Sequence, residues 1–166
     1  MLGQTMMLKM FGYNAFANAK VLEIAGALSD AELDAPTNYA HGSIRGTLAH
    51  LLRVQRGWRA VVTTHETPKM PLSIDETSSI ADLLAFAKDE ETAINDWLAG
   101  QTDEQLAAPF NTEFQGQVFE NIPWQGLSQM LFHGMQHRSE VALWLTEKGH
   151  SPGDLDFIFY TDPSMG

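Results

Sequence analysis

Four long stretches of this chain repeat apolar side chains at steps of three and four residues, and a short break of nearly the same wording follows the first and the third. That period is the signature of amphipathic helices, so the pattern dictates helices that must bury one face against one another. The breaks read Ser29-Asp-Ala-Glu-Leu-Asp-Ala-Pro36 and Thr102-Asp-Glu-Gln-Leu-Ala-Ala-Pro109. Each starts with a capping box, in which a hydroxyl and a side chain three residues later satisfy free backbone N–H groups at a helix start. The chain therefore reads as two related helical hairpins, a repeat carried by eight residues.

The first helix spans roughly residues 4–28, with Met7, Met10, Phe11, Val21, Leu22, Ala25 and Leu28 on one stripe and Asn14 and Asn18 a turn apart within it. Ser43 caps a second helix from Ile44 to about Thr64. Ile44, Leu51, Val54, Trp58 and Val62 share one side of it, and Arg45, Arg53, Arg56 and Arg59 share the other. Thr67 to Glu76, stiffened by two prolines, is a linker long enough to run back along a bundle. The third helix runs from Ser78 or Ser79 to Leu98 and buries Ile80, Leu83, Leu84, Ala87, Ile94, Trp97 and Leu98, leaving Lys88, Asp89, Glu90 and Glu91 on a solvated face. Phe110–Phe114 and Gln117–Ile122 look like two short strands around a tight turn at Gln115-Gly116. Pro123 then opens a fourth helix where its missing N–H costs nothing, and Gly149 ends it. The expected fold is all-α: a four-helix bundle with a long second-to-third crossover and a small β-hairpin before the last helix, forming a single domain over residues 1–166.

A chain of 166 residues can bury a sufficient core unaided, so a bound metal would serve function rather than folding. There is no cysteine, which leaves histidines and carboxylates as the strong ligands. His133 and His137 stand four residues apart on one face of the fourth helix, beside its apolar centre and near Met130 and Trp144. His50 occupies the matching margin of the second helix. Three imidazoles can thus meet at one place in the bundle, with positions left for water or substrate. The alternative is that the pair hydrogen-bonds to loops. His41, His65 and His150 fall in loops or at helix ends and read as surface residues.

The formal charge of −11, from 21 acidic against 10 basic side chains, disfavours nucleic acid and anionic membranes as partners. The apolar runs are interrupted by charge before membrane-spanning length, and the N-terminal residues carry no leader-type pattern, so a soluble cytoplasmic protein is expected.

Nearly the whole sequence resembles the DinB/YfiT-like family of small four-helix metalloproteins. The resemblance rests on Tyr13-Asn14-Ala-Phe16-Ala-Asn18, on Gly46-Thr-Leu-Ala-His50 with Trp58, on the hairpin and on His133-Gly-Met-Gln-His137-Arg138. It continues in Gly149-His-Ser-Pro152-Gly-Asp-Leu155-Asp156-Phe157-Ile-Phe-Tyr160. It implies one divalent metal ion, nickel or zinc first and iron, manganese or copper after them, held by His50, His133 and His137. Where the family commonly has Arg-Gly-Gln, this chain has Arg138-Ser139-Glu140. Glu140 lies on nearly the same face as both helix histidines and reads either as a catalytic or ligand-orienting carboxylate or as a surface acid. Asn14, Asn18, Trp58, Met130 and Trp144 are candidates for the pocket wall or outer shell, with helix packing and core as their plainer readings. Arg138 is expected in an ion pair or an interface.

Three functions fit these residues. The first is a metal-dependent hydrolase acting on a small molecule through water activated by the metal. The second, implied by the family, is a transferase or isomerase using a low-molecular-weight thiol as cosubstrate. The third is a metal-binding stress-response protein without turnover. On the fourth helix Phe132 and Leu143 form a further apolar group that needs cover, so a homodimer is expected, with the chain's own hairpin and tail as the other possible cover.

Overall fold

The computed structural model describes residues 2–38, 40–68 and 73–160. Helix α1 (Leu2–Ala25) is followed by a single turn, α2 (Asp30–Leu33), and then by α3 (Ile44–Thr64) and α4 (Ile80–Ala99). The short α5 (Asp103–Ala107) leads into strands β1 (Phe110–Phe114) and β2 (Gln117–Asn121), and α6 (Pro123–Glu147) precedes a 3-10 turn at Phe157–Phe159. The caps anticipated from sequence hold these boundaries. Ser29 and Thr102 each form a complete capping box, Ser43 accepts from the Gly46 N–H, Ser79 forms a third box with Asp82, and Pro123 sits in the first turn of α6. Helix α1 stops at Ala25, three residues short of the expected end, because Gly26 to Leu28 already turn toward the Ser29 cap. The antiparallel strands pair Phe114 with Gln117, and both turn residues have positive φ, Gln115 at 51° and Gly116 at 76°, as a two-residue turn of type I′ requires.

Around the bundle the long helices touch in the order α1, α4, α3, α6, and α6 closes the ring on α1. Helices α3 and α6 run antiparallel and approach closely at Gly126, where a Cβ would lie only 2.6 Å from Val62 Cγ2. That contact brings the two histidine-bearing faces together.

The apolar core has two parts. One gathers Leu22, Ile44, Leu48, Leu52, Leu83 and Leu145; the other gathers Met7, Phe11, Ile94, Leu98, Leu127 and Met130. Between them in sequence, on every long helix, comes a buried polar residue: Asn14 and Asn18 on α1, Gln55 on α3, Glu90 on α4 and Arg138 on α6. Arg138 Nη1 donates to Asn14 Oδ1 at 2.6 Å and to Asn18 Oδ1 at 2.8 Å, and Asn18 Nδ2 donates to Gln55 Oε1. Gly134 leaves the room for this cluster, since a Cβ there would meet all of Arg138, Asn14 and Gln55.

Glu90 corrects the solvated-face expectation. It is 6 % exposed and receives the guanidinium N–H groups of Arg56 and Arg59. The charge run on α4 carries no local sign of this, because the partners of Glu90 lie on the arginine side of α3, a separate helix. The tail packs on α1 as far as it is described. The Tyr13 hydroxyl donates to the Leu155 carbonyl, and Phe157 and Tyr160 stand edge-on to Tyr13. Residues 69–72 of the linker and 161–166 of the tail lie outside the described residues.

Candidate metal centre

Periodicity alone carries His50 on α3 and His133 and His137 on α6 to the same side of their helices, and the antiparallel contact sets them face to face. His50 Nε2 lies 3.1 Å from His133 Nε2. The ring centroid of His137 is 4.5 Å from that of His133 and 5.0 Å from that of His50. His137 is buried, and its Nδ1 lies 2.6 Å from Glu140 Oε2, one turn further along α6. With the carboxylate on Nδ1, His137 keeps Nε2 free for the cluster, the usual arrangement behind a metal-binding imidazole. Glu140 is thus tied to a cluster histidine rather than lying loose on the surface.

A fourth histidine joins them, and here the sequence reading is corrected. His41, expected on the surface, stacks on His50 with centroids 3.5 Å apart and planes 17° apart, and stands 5.0 Å from His137. One ring nitrogen from each of His41, His50 and His137 lies within 4.8 Å of the other two. The loop reaches this place because α3 begins with a close approach. Ser43 caps the helix, and the His41 carbonyl would be 2.4 Å from a Cβ on Gly46. Gly46 beside the Ser43 cap was the signal available in the sequence, but no periodicity links a loop histidine to a helix face. Gly46→Ala should force the His41 carbonyl away, unstacking His41 from His50 and lowering stability by about 1–3 kcal/mol. Thermal unfolding and the His41 imidazole resonances check this. The other two histidines do lie apart, His65 capping α3 against the Phe110 ring and His150 exposed.

Desolvation, followed by the repulsion of the neighbouring imidazoles, pushes His50 and His133 down to about 4 each. His41 is lowered by the same two causes. Near neutral pH these rings therefore present lone pairs, the form in which imidazole binds a cation. His133 Nδ1 is buried without a hydrogen-bond partner among the described residues. The 3.1 Å between facing Nε2 atoms is close to the edge of a nitrogen tetrahedron around zinc, about 3.3 Å for bonds of 2.0–2.1 Å. The donor set fits a divalent cation: the nitrogens that converge within 4.8 Å are those of His41, His50 and His137, and His133 joins them through its 3.1 Å approach to His50.

Of the remaining candidates, Trp58 stands beside the cluster, lining with His50, Arg53, Val54, Val61 and Pro68 a cleft of about 350 Å³. Asn14 and Asn18 are buried on Arg138, whose guanidinium desolvation pulls down to about 10. Arg138 is thus bonded to amides rather than ion-paired as expected. Met130 and Trp144 are core residues, one in each half of the bundle.

The sequence profile of the DinB family matches residues 1–165. The chain belongs to the DinB family. No curated protein matches this DinB chain in sequence. Among solved structures it is similar to YfiT from Bacillus subtilis, with 15 % sequence identity, a TM-score of 0.67 and coverage of 85 % of this chain and 86 % of that one. YfiT is described as a probable metal-dependent hydrolase with an unusual four-helix bundle topology. At that identity the likeness concerns the fold. No helix among the described residues of this DinB protein is long and apolar enough to cross a membrane.

Proposed function

We propose that this DinB protein is a metal-dependent hydrolase of a small molecule, with His50, His133 and His137 as ligands and His41 adding a fourth nitrogen or yielding its place to substrate. The observation that carries the reading is the convergence of ring nitrogens from three segments of the chain, with a carboxylate behind one of them and a ligand-sized cleft beside another. A divalent cation held by these neutral nitrogens would keep its full charge and would supply the activation of water and of a carbonyl that hydrolysis needs. The chain's own part is to hold those nitrogens in place. Glu140 fixes the His137 tautomer, the α3–α6 contact at Gly126 sets the spacing, and Val54, Trp58 and Val61 offer an apolar wall for the organic part of the substrate. The likeness to YfiT supports the same reading.

Nickel or zinc is the proposed ion and the cytoplasm the proposed location. The test is turnover of a panel of esters and amides by protein stripped with a chelator and reloaded with one metal at a time. Metal-restored hydrolysis supports the proposal. Turnover only after adding a low-molecular-weight thiol would replace it with the transferase, and tight metal binding without any reaction would leave a binding protein.

A second copy of this chain is the partner we propose for the outer face of α6. Trp124, Phe132, Met135 and Leu143 are all exposed there, with Ser128, Ser139 and Thr146 between them. A stripe without charge lets two copies of a chain of charge −11 meet without repulsion at the contact. Light scattering at micromolar concentration should give twice the chain mass of 18.4 kDa, and Phe132→Glu should return it to the monomer; a wild-type monomer refutes the proposal.

A further inference from the structure

The five arginines of this chain meet different fates. Arg45 is held by Asp30 and Asp34, Arg56 and Arg59 share Glu90, and Arg138 is bonded to Asn14 and Asn18. Arg53 has no ion-pair partner among the described residues, and its Nε is buried with no hydrogen-bond acceptor. Asp75 feels the Arg53 charge, but its Oδ1 accepts from the Thr77 N–H and hydroxyl. The Nε–H is closed off, but Arg53 as a whole is half-buried, so the outer edge of its guanidinium, which no carboxylate among the described residues occupies, is the part open to an incoming acceptor.

The place of Arg53 gives this its meaning. It lies three residues after His50, so the two side chains leave α3 one turn apart, and both line the cleft beside the histidine cluster. Val54, Trp58, Val61 and Pro68 make the rest of that wall apolar. In a protein of charge −11 the overall field repels anions, so an arginine with no ion-pair partner among the described residues, on the wall of this cleft, marks a local exception. A guanidinium is a planar fork matched to a carboxylate, and one such fork in an acidic protein suits a monoanion better than a doubly charged phosphate.

We infer that Arg53 is the specificity residue of the cleft, and that the substrate is a small carboxylate-bearing molecule whose carboxylate binds Arg53 while its apolar part lies along Val54, Trp58 and Val61. The substrate class rests on the hydrolase reading, whereas the binding site does not. In this arrangement the susceptible bond at the histidine cluster lies close to the anionic group, and the apolar part points away from the cluster.

The test is calorimetric binding of 2-naphthoate against its neutral analogue 2-naphthamide, on chelator-stripped and on zinc-loaded protein. Stripped wild-type protein should prefer the carboxylate by about tenfold or more. Arg53→Gln should abolish the preference and Arg53→Lys should keep part of it, with circular dichroism confirming that each variant is folded; if Arg53→Gln does not fold, the partial loss in Arg53→Lys carries the test. Equal binding of the two compounds to wild-type protein overturns the inference. So does a preference that survives in either variant at full strength, or one that needs zinc, since the cation would then be taking the carboxylate itself. Because the readout is binding, the two readings fail separately. An Arg53-dependent preference with no hydrolysis of any ester or amide keeps the anion site and removes the hydrolase, while hydrolysis without the preference does the reverse.

Discussion

Replacing His137 by alanine should lower the affinity for zinc or nickel by more than a hundredfold while leaving the helix content unchanged. His137 stands within 5.0 Å, centroid to centroid, of each of the other three rings, and it is the cluster histidine with a carboxylate on its far nitrogen. Truncation removes a donor and its orienting partner together. Glu140→Gln keeps the ring but weakens its anchor, so its effect should be smaller, about 10–100-fold, in the range seen when the outer partner of a ligating histidine is lost. Competition with a chromophoric chelator measures both. Unchanged affinity in His137→Ala would remove the centre from the proposal, and an Glu140→Gln effect as large as that of His137→Ala would make the carboxylate a ligand in its own right.

The largest effect on stability should come from Glu90→Ala, about 2–4 kcal/mol. The carboxylate is 7 % exposed and bridges Arg56 and Arg59, so its removal leaves two guanidinium groups without their acceptor between α3 and α4. Breaking a buried pair costs about 3–5 kcal/mol, and the loss here is smaller because both arginines are about one quarter exposed and can partly rehydrate. Arg56 keeps its stacking on the Phe86 ring, 3.7 Å from the centroid, which also limits the loss. For a chain of this length the melting temperature should fall by roughly 6–12 °C. The fall should persist at high salt, since buried pairs are poorly screened. Glu91→Ala, one residue on and exposed, is the control and should change nothing measurable.

Glu90 also shows where the sequence stops being readable. Caps and breakers act over three or four residues, so Ser43, Ser79, Thr102 and Pro123 mark their helix starts without knowledge of the tertiary fold. The turn at Gln115-Gly116 is legible for the same reason. The meeting of His50 with His133 and His137 is legible one level higher, because a helical period fixes which side chains share a stripe and apolar stripes must face inward. A run such as Lys88-Asp-Glu-Glu91 contains no local sign that one of its acids faces a neighbouring helix, and that choice depends on α3 and α4 being adjacent. His41 is harder still. Its place is set by the curl of a loop and by the absence of one methyl group at Gly46, neither of which has a period. Asn14 and Asn18 read equally well as pocket or packing residues until Arg138, more than a hundred residues away, is seen between them.

The order in which the helices neighbour one another bears on how the chain acquires its shape. Of the four contacts around the ring, only α3 with α4 joins long helices that follow one another in sequence. The first helix, Leu2–Ala25, finds its main companions in Ile80–Ala99 and Pro123–Glu147, so until those are made its apolar stripe has only the part of its cover that Ile44–Thr64 supplies. Such distant pairings slow the search compared with a bundle of successive hairpins, and they leave the early chain dependent on whatever keeps nascent apolar segments from sticking to one another.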